Sequence, residues 1–296
     1  MTAAAQPKLP AIAQVRLPQP PAWLATLAGS ATFERTAQGL EIAESAELAI
    51  LRASLPARSL DDEALRAAVR DLYVAIADAL QRRALFPWRF WNYLPEIGRA
   101  ATIGANRYQV FNAGRCDGMR AGFGEALPAP APAASAVGHA ADSLVVELLA
   151  GRAPGVAVEN PRQISPLRYS RRWGPLPPYF SRAMTVPAAL PGDPAPCALI
   201  SGTASIVGED TWYPGALAPQ IRETIANLAA LAHAIGDARF RELRLYVARD
   251  EDTAEVAAAF AAAYPRLERL EVAVADLCRP ELRLEAEGVA TLGACR

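Results

Sequence analysis

Leu65, Val69, Leu72, Ile76 and Leu80 recur at steps of three and four with polar residues between them, a spacing that lays one apolar stripe along a helix. Asp61 and Asp62 stand just ahead of the stripe, where a short carboxylate caps open backbone N–H groups, and the helix ends before Pro87. The same period returns in Ile221, Ile225, Leu228, Leu231 and Ile235, on a helix opened by Pro219, and a further helix is predicted from Glu251 to Ala263. Strict alternation marks Leu243-Arg-Leu-Tyr-Val247 as a strand. Short apolar runs at Ser143–Leu149, Cys197–Ile200, Leu270–Ala275 and Glu281–Val289 read as strands too, and so does the brief alternation around Tyr108-Gln-Val-Phe111. The aromatic cluster Phe86-Pro-Trp-Arg-Phe-Trp-Asn-Tyr93 is dense enough to build core. From Ala126 to Ala134 there is too much proline for helix or central strand, which predicts a surface loop. Residues before about Leu27 are rich in Pro and Gln, a composition that wraps a surface or stays mobile. The C-terminal third thus runs strand, helix, strand, helix, strand, strand, which predicts an α+β sheet with both helices on one face.

At 296 residues, 52% of them hydrophobic, the chain is long enough for two globular domains, each with a core. Thirty basic against thirty-one acidic residues leave nothing global to attract nucleic acid or an anionic membrane, so any anion recognition has to be local. No run is long and apolar enough for a membrane span, and the N-terminus lacks a basic segment followed by an apolar one, which predicts a cytoplasmic protein. Four scattered cysteines without a CxxC, and only His139 and His233, argue against a zinc site or a disulfide framework. Ala134-Ser-Ala-Val-Gly138 and Ala204-Ser-Ile-Val-Gly208 share a short pattern that fits two related halves.

Local anion recognition has an obvious candidate. Glu159-Asn-Pro-Arg-Gln-Ile-Ser-Pro-Leu-Arg-Tyr-Ser-Arg-Arg172 sets four arginines and a tyrosine in a loop, where planar guanidinium forks can hold carboxylates bidentately. Pro177-Pro-Tyr-Phe-Ser-Arg-Ala-Met-Thr-Val186, the small-residue turn Ser201-Gly-Thr-Ala and the closing Leu284-Glu-Ala-Glu287 resemble, in order, the start, middle and end of the RidA/YjgF fold. Together with Arg89-Phe-Trp-Asn-Tyr93, Arg107-Tyr-Gln-Val-Phe-Asn-Ala-Gly-Arg115 and the arginine-rich loop, the chain resembles the chorismatase family over most of its length after about residue 60. The resemblance implies an α+β protein of two RidA/YjgF-like domains, each a mixed β-sheet with helices packed on one face. Its expected organisation is a flexible segment 1–27, an N-terminal domain 28–170 and a C-terminal domain 171–296. One departure stands out. The family pattern continues the small-residue turn as Val-Gly-His, whereas this chain has Val207-Gly208-Glu209, so no histidine serves as acid or base there.

The implied activity is conversion of chorismate to pyruvate and a ring product without metal or organic cofactor, as a monomer or small homo-oligomer. Protonating an enol-ether carbon needs a carboxylic acid held neutral, and Glu285 suits that task. In the terminal strand Leu282, Leu284 and Ala286 point one way while Arg283, Glu285 and Glu287 point the other, giving Glu285 a like-charged neighbour that favours its protonated form. Tyr169 and Arg171 match the family's substrate-contacting Tyr-x-Arg, Arg115 and Arg107 are candidates for the second carboxylate, and Arg279 and Ala204 are assigned to the same pocket. Cys278, seven residues before Glu285, corresponds to the cysteine of the aromatising members and is the candidate catalytic selector for 3-hydroxybenzoate. The competing expectations are a hydrolytic chorismatase giving a dihydroxycyclohexadiene carboxylate, a mixed 3-/4-hydroxybenzoate producer, a RidA-like imine hydrolase, and a ligand-binding protein with an idle Glu285.

Overall fold

The computed structural model describes residues 10–292, apart from 30, 103, 125, 126, 191 and 192. In chain order, β1 (Ala11–Gln14) and α1 (Ala22–Ala28) lead into β2 (Glu34–Arg35), β3 (Glu41–Glu44), β4 (Leu48–Pro56), α2 (Asp62–Arg82), β5 (Phe86–Pro95), α3 (Arg107–Phe123), β6 (Ala133–His139) and β7 (Ser143–Gly151). The second half runs through β8 (Val156–Val158), β9 (Ala183–Leu190), β10 (Asp193–Ala204), the short β11 (Ile206–Val207) and β12 (Asp210–Thr211), α4 (Leu217–Ala234), β13 (Arg239–Val247), α5 (Thr253–Ala263), β14 (Arg269–Val274) and β15 (Leu284–Thr291). A six-stranded sheet has the order β2-β3-β4-β7-β5-β6 and a seven-stranded sheet the order β1-β14-β13-β15-β10-β9-β8. The two sheets face each other and carry their helices outside, so the layers are helix, sheet, sheet, helix.

Three bodies of apolar side chains follow from those layers. Leu65, Val69 and Tyr73 of α2 and Phe111 of α3 meet Phe90 and Val146 of the six-stranded sheet. Trp88, Trp91 and Leu149 meet Leu199, Tyr246 and Val289 between the sheets. Leu228, Leu231 and Phe260 of α4 and α5 cover Leu245 and Ala286 on the far face of the seven-stranded sheet. The central layer joins what the sequence presents as two separately cored domains. The change of sheet falls between β7 and β8, ahead of the 170/171 boundary drawn from sequence, because β8 pairs with β9.

The Asp61 side chain accepts the Ala64 N–H at 2.8 Å and opens α2 as its capping pattern predicts. Around Tyr108-Gln-Val-Phe111 the structure differs from the expected strand: the segment is the first turn of α3. Asn106 caps it by accepting the Gln109 N–H at 3.2 Å. A Cβ at Gly114 or Gly118 would collide with the Arg66 or Arg70 carbonyl of α2, so glycine lets the two helices pack backbone to backbone. The N-terminal segment takes the wrapping form of the two its composition allows, and it does so as ordered structure. β1 pairs in parallel with β14, Leu24 is buried, and buried Arg244 donates to the Gln19 and Pro20 carbonyls at 2.7 and 2.9 Å. Residues 10–28 form a strap whose carbonyls complete the hydrogen bonding of an arginine already paired with Glu271 at 2.6 Å. Residues 1–9 lie outside the described part of the chain. No helix among the described residues is long and apolar enough to cross a membrane.

Candidate active site

A cavity of about 220 Å³ opens at one end of the seam between the sheets. β15 brings Glu285 to its floor, in register with Ala204 of β10 on one side and Tyr246 of β13 on the other. The alternation read from sequence holds: Ala286 packs under α4 and α5, so Glu285 and Glu287 face the other sheet. That face is buried rather than solvated, with Glu285 6% exposed. β10 is bulged between Ile200 and Thr203, and a Cβ on Gly202 would collide with the Glu285 carboxyl and push the acid from its present position. Burial, reinforced by the Glu287 charge and opposed by Arg89, Arg182 and Arg279, pushes the Glu285 carboxyl up to about 8. It therefore carries a proton at neutral pH.

Arg115 of α3, Tyr169, Ala204, Cys278 and Arg279 line the same cavity. The Cys278 thiol is pushed up to about 12 by burial and by Glu285, which makes it a neutral wall rather than a thiolate nucleophile. Arg115 is buried, with its guanidinium 5.3 Å from the centre of the Phe90 ring; its Nε and Nη2 lack hydrogen-bond partners. Arg279 stacks over Trp173 at 3.4 Å and donates to the Glu209 carbonyl at 3.0 Å.

Two predicted contacts are corrected. Arg171 is exposed and outside the cavity lining, because it shares a three-residue 3₁₀ turn with Arg172 and Trp173, and at three residues per turn only part of it faces inward. Arg172 and Trp173 are the ones that do. Arg107 is fully buried elsewhere, donating to the Ala57 and Leu60 carbonyls and so supporting the turn before α2. The guanidinium missed from sequence is Arg182, which donates to the Tyr169 hydroxyl at 2.7 Å and keeps its Nε without a partner. Its signal was present in Pro177–Val186, a stretch that reads as fold pattern before it reads as chemistry. Asn92, Tyr108 and Asn112 belong to the polar part of the wall; burial raises the Tyr108 hydroxyl, which stays protonated.

Glu209, in place of the expected histidine, clamps the arginine-rich loop. It accepts the Ser170 N–H and hydroxyl, each at 2.7 Å, and pairs with Arg172 at 3.2 Å. Behind Glu285, the Glu287 carboxylate accepts from Arg89 at 2.6 Å, Ser135 at 2.5 Å, Trp91 at 2.9 Å and Tyr246 at 2.8 Å. Among the described residues no three His, Cys, Asp or Glu side chains converge as a metal-ligand set.

A buried, protonated carboxyl facing a cavity rimmed by arginines can, chemically, give a proton to an anionic ligand. Residues 24–150 match the family described as chorismatase FkbO/Hyg5-like, N-terminal. A 3-hydroxybenzoate synthase of Streptomyces hygroscopicus is 30% identical over 267 residues, which span 85% of this chain and 76% of that one. A chorismatase of Streptomyces rapamycinicus is 32% identical across 68% of this chain and 63% of its own length. A chorismatase crystal structure superposes with a TM-score of 0.73 at 24% identity, covering 88% of this chain and 79% of that one. The chain belongs to the chorismatase family.

Proposed function

We propose that this protein converts chorismate to 3-hydroxybenzoate and pyruvate, with Glu285 as the general acid. The observation that carries the reading is a carboxyl 6% exposed and held neutral on a cavity floor. Glu285 gives its proton to the enolpyruvyl methylene carbon and the enol ether becomes an oxocarbenium ion. The ring C4 hydroxyl oxygen, giving up its proton, attacks C3 as the C3–O ether bond breaks and its electron pair completes the carbonyl of the departing pyruvate. The C4–O bond then opens as C3–H is lost, leaving that oxygen on C3 as the phenol. The proton lost from the ring on aromatisation restores the balance. Chorismate is the sum of 3-hydroxybenzoate and pyruvate, so this route consumes no net water, whereas the dihydroxycyclohexadiene carboxylate requires one water. Arg115 and Arg182, each with a buried nitrogen lacking a partner, suit the two substrate carboxylates. Cys278 narrows the cavity beside the acid and favours the route without water.

The test is chromatography of the products formed from chorismate. Pyruvate and 3-hydroxybenzoate are expected in equal amounts, and Glu285→Gln should lower kcat by roughly 10²-fold or more with little change in KM. Cys278→Ala should raise the share of the dihydroxylated product. Near wild-type turnover by Glu285→Gln would remove the acid from its role, and absence of pyruvate release by the wild type would remove the reaction.

A further inference from the structure

We infer that Glu287, held as a carboxylate by Arg89, Ser135, Trp91 and Tyr246, is a positioning residue that keeps the proton of the glutamate pair on Glu285; this rests on the acid role proposed above. An ionised carboxylate offers about four acceptor sites, and in Glu287 four donors occupy them: Arg89 and Ser135 on one oxygen, Trp91 and Tyr246 on the other. Each donor is at least nine-tenths buried, with Arg89 and Trp91 1% exposed, so none has water as an alternative. A proton on Glu287 would displace one donor and leave the Arg89 guanidinium without its counter-charge. That is the costlier arrangement, because an unpaired buried charge is more unfavourable than a neutral carboxyl. Glu285, two residues along the same strand face and roughly 7 Å away at Cα, faces the cavity instead, and the fixed negative charge beside it disfavours its ionisation.

The surroundings leave Glu287 as the nearby carboxylate on that face. Arg89 on β5, Arg182 ahead of β9 and Arg279 at the rim are the cations that oppose protonation of Glu285, and Arg115 on α3 and Arg172 also line its cavity. Tyr108 on α3, Tyr246 on β13 and Cys278 are neutral, each shifted up by burial, and Tyr169 is hydrogen-bonded to Arg182. Glu281, at the cavity wall, is engaged by the Thr211 hydroxyl at 2.8 Å. Without Glu287, burial alone would hold the proton against Arg89, Arg182 and Arg279, and Glu285 would release it at lower pH.

The experiment follows the carboxyl C=O band of Glu285 by infrared titration of the ligand-free protein, assigned by its loss in Glu285→Gln. In Glu287→Gln the band should vanish at least about one pH unit lower than in the wild type. Tyr246→Phe removes one hydrogen bond but no charge, so its band should titrate as in the wild type. A downward shift equal in both variants would mark a packing effect and overturn the inference, as would an unshifted band in Glu287→Gln. Carbon-13 NMR of wild-type glutamate carboxyls provides the same decision if Glu287→Gln does not fold: Glu287 should keep a carboxylate shift while Glu285 is protonated, and the reverse assignment overturns the inference. Neither readout uses chorismate. A correct titration with no turnover would sink the proposed reaction and leave this pairing intact.

Discussion

Glu285 sets function against stability at a single side chain. In the folded chain its carboxyl titrates at about 8, above the ordinary 4.5 that the unfolded chain retains. Between those values the folded state binds the extra proton, so folding stability falls as pH rises through that window. Glu285→Gln removes the titration. Its Tm should therefore exceed that of the wild type by roughly 2–4 °C or more at pH 8, with the difference closing toward pH 4.5, as calorimetry at several pH values would register. Wild-type kcat/KM should hold up to neutrality and decline about tenfold per unit above about 8. A variant more stable and less active at pH 8 has the signature of a strained functional group; equal Tm at both pH values would deny that Glu285 is buried as a neutral acid. The pairing of Glu285 with Glu287 was legible in the sequence, because alternation along a strand needs no tertiary information. What stabilises Glu287 was not legible: Arg89, Ser135 and Tyr246 are distant in the chain, and no local pattern joins them.

At the scale of elements, the loop bearing Tyr169, Arg172 and Trp173 is shaped by its supports more than by its own residues. Glu209 fixes Ser170, and Arg279 stacks on Trp173. Arg182 lies ahead of β9, outside the loop, yet is bonded to Tyr169. Arg182→Lys should therefore raise KM for chorismate by roughly tenfold, since lysine cannot hold the Tyr169 hydroxyl and a carboxylate from one planar fork. Arg171→Lys should leave KM within about twofold, and steady-state kinetics of the two variants would decide which arginine serves the site. The reverse ranking would return Arg171 to the substrate. The helices α2 and α4 and the strand β13 could be read from period alone because each presents a distinct apolar face, whereas β14 and β15, buried on both faces, were legible as apolar runs. α3 could not. It is buried on several sides, Val110, Phe111, Asn112, Ala113 and Arg115 among its buried residues, and its glycines look like breaks until α2 is seen against them.

For the whole molecule the decisive feature is the layer between the sheets, which no single half possesses. The strap of residues 10–28 closes it from the N-terminal side: Tyr93 of one sheet and Arg244 of the other both donate to the Gln19 carbonyl, at 2.9 and 2.7 Å. Deleting residues 1–20 would remove the Gln19 and Pro20 carbonyls from Tyr93 and Arg244, leaving Arg244 its Glu271 pair, at about 1–3 kcal/mol for each donor left unsatisfied. Tm should fall by roughly 5–10 °C, and a melting curve unchanged by the deletion would show the strap to be ornamental. The Arg89–Glu287 contact spans 198 positions of sequence, from the first sheet to the final strand. Contacts of such separation close late in folding, once both ends have been brought together. A refolding chain should thus regain its helical signal before it regains the proposed turnover of chorismate, and the last kinetic phase to finish will be the one that joins Arg89 to Glu287.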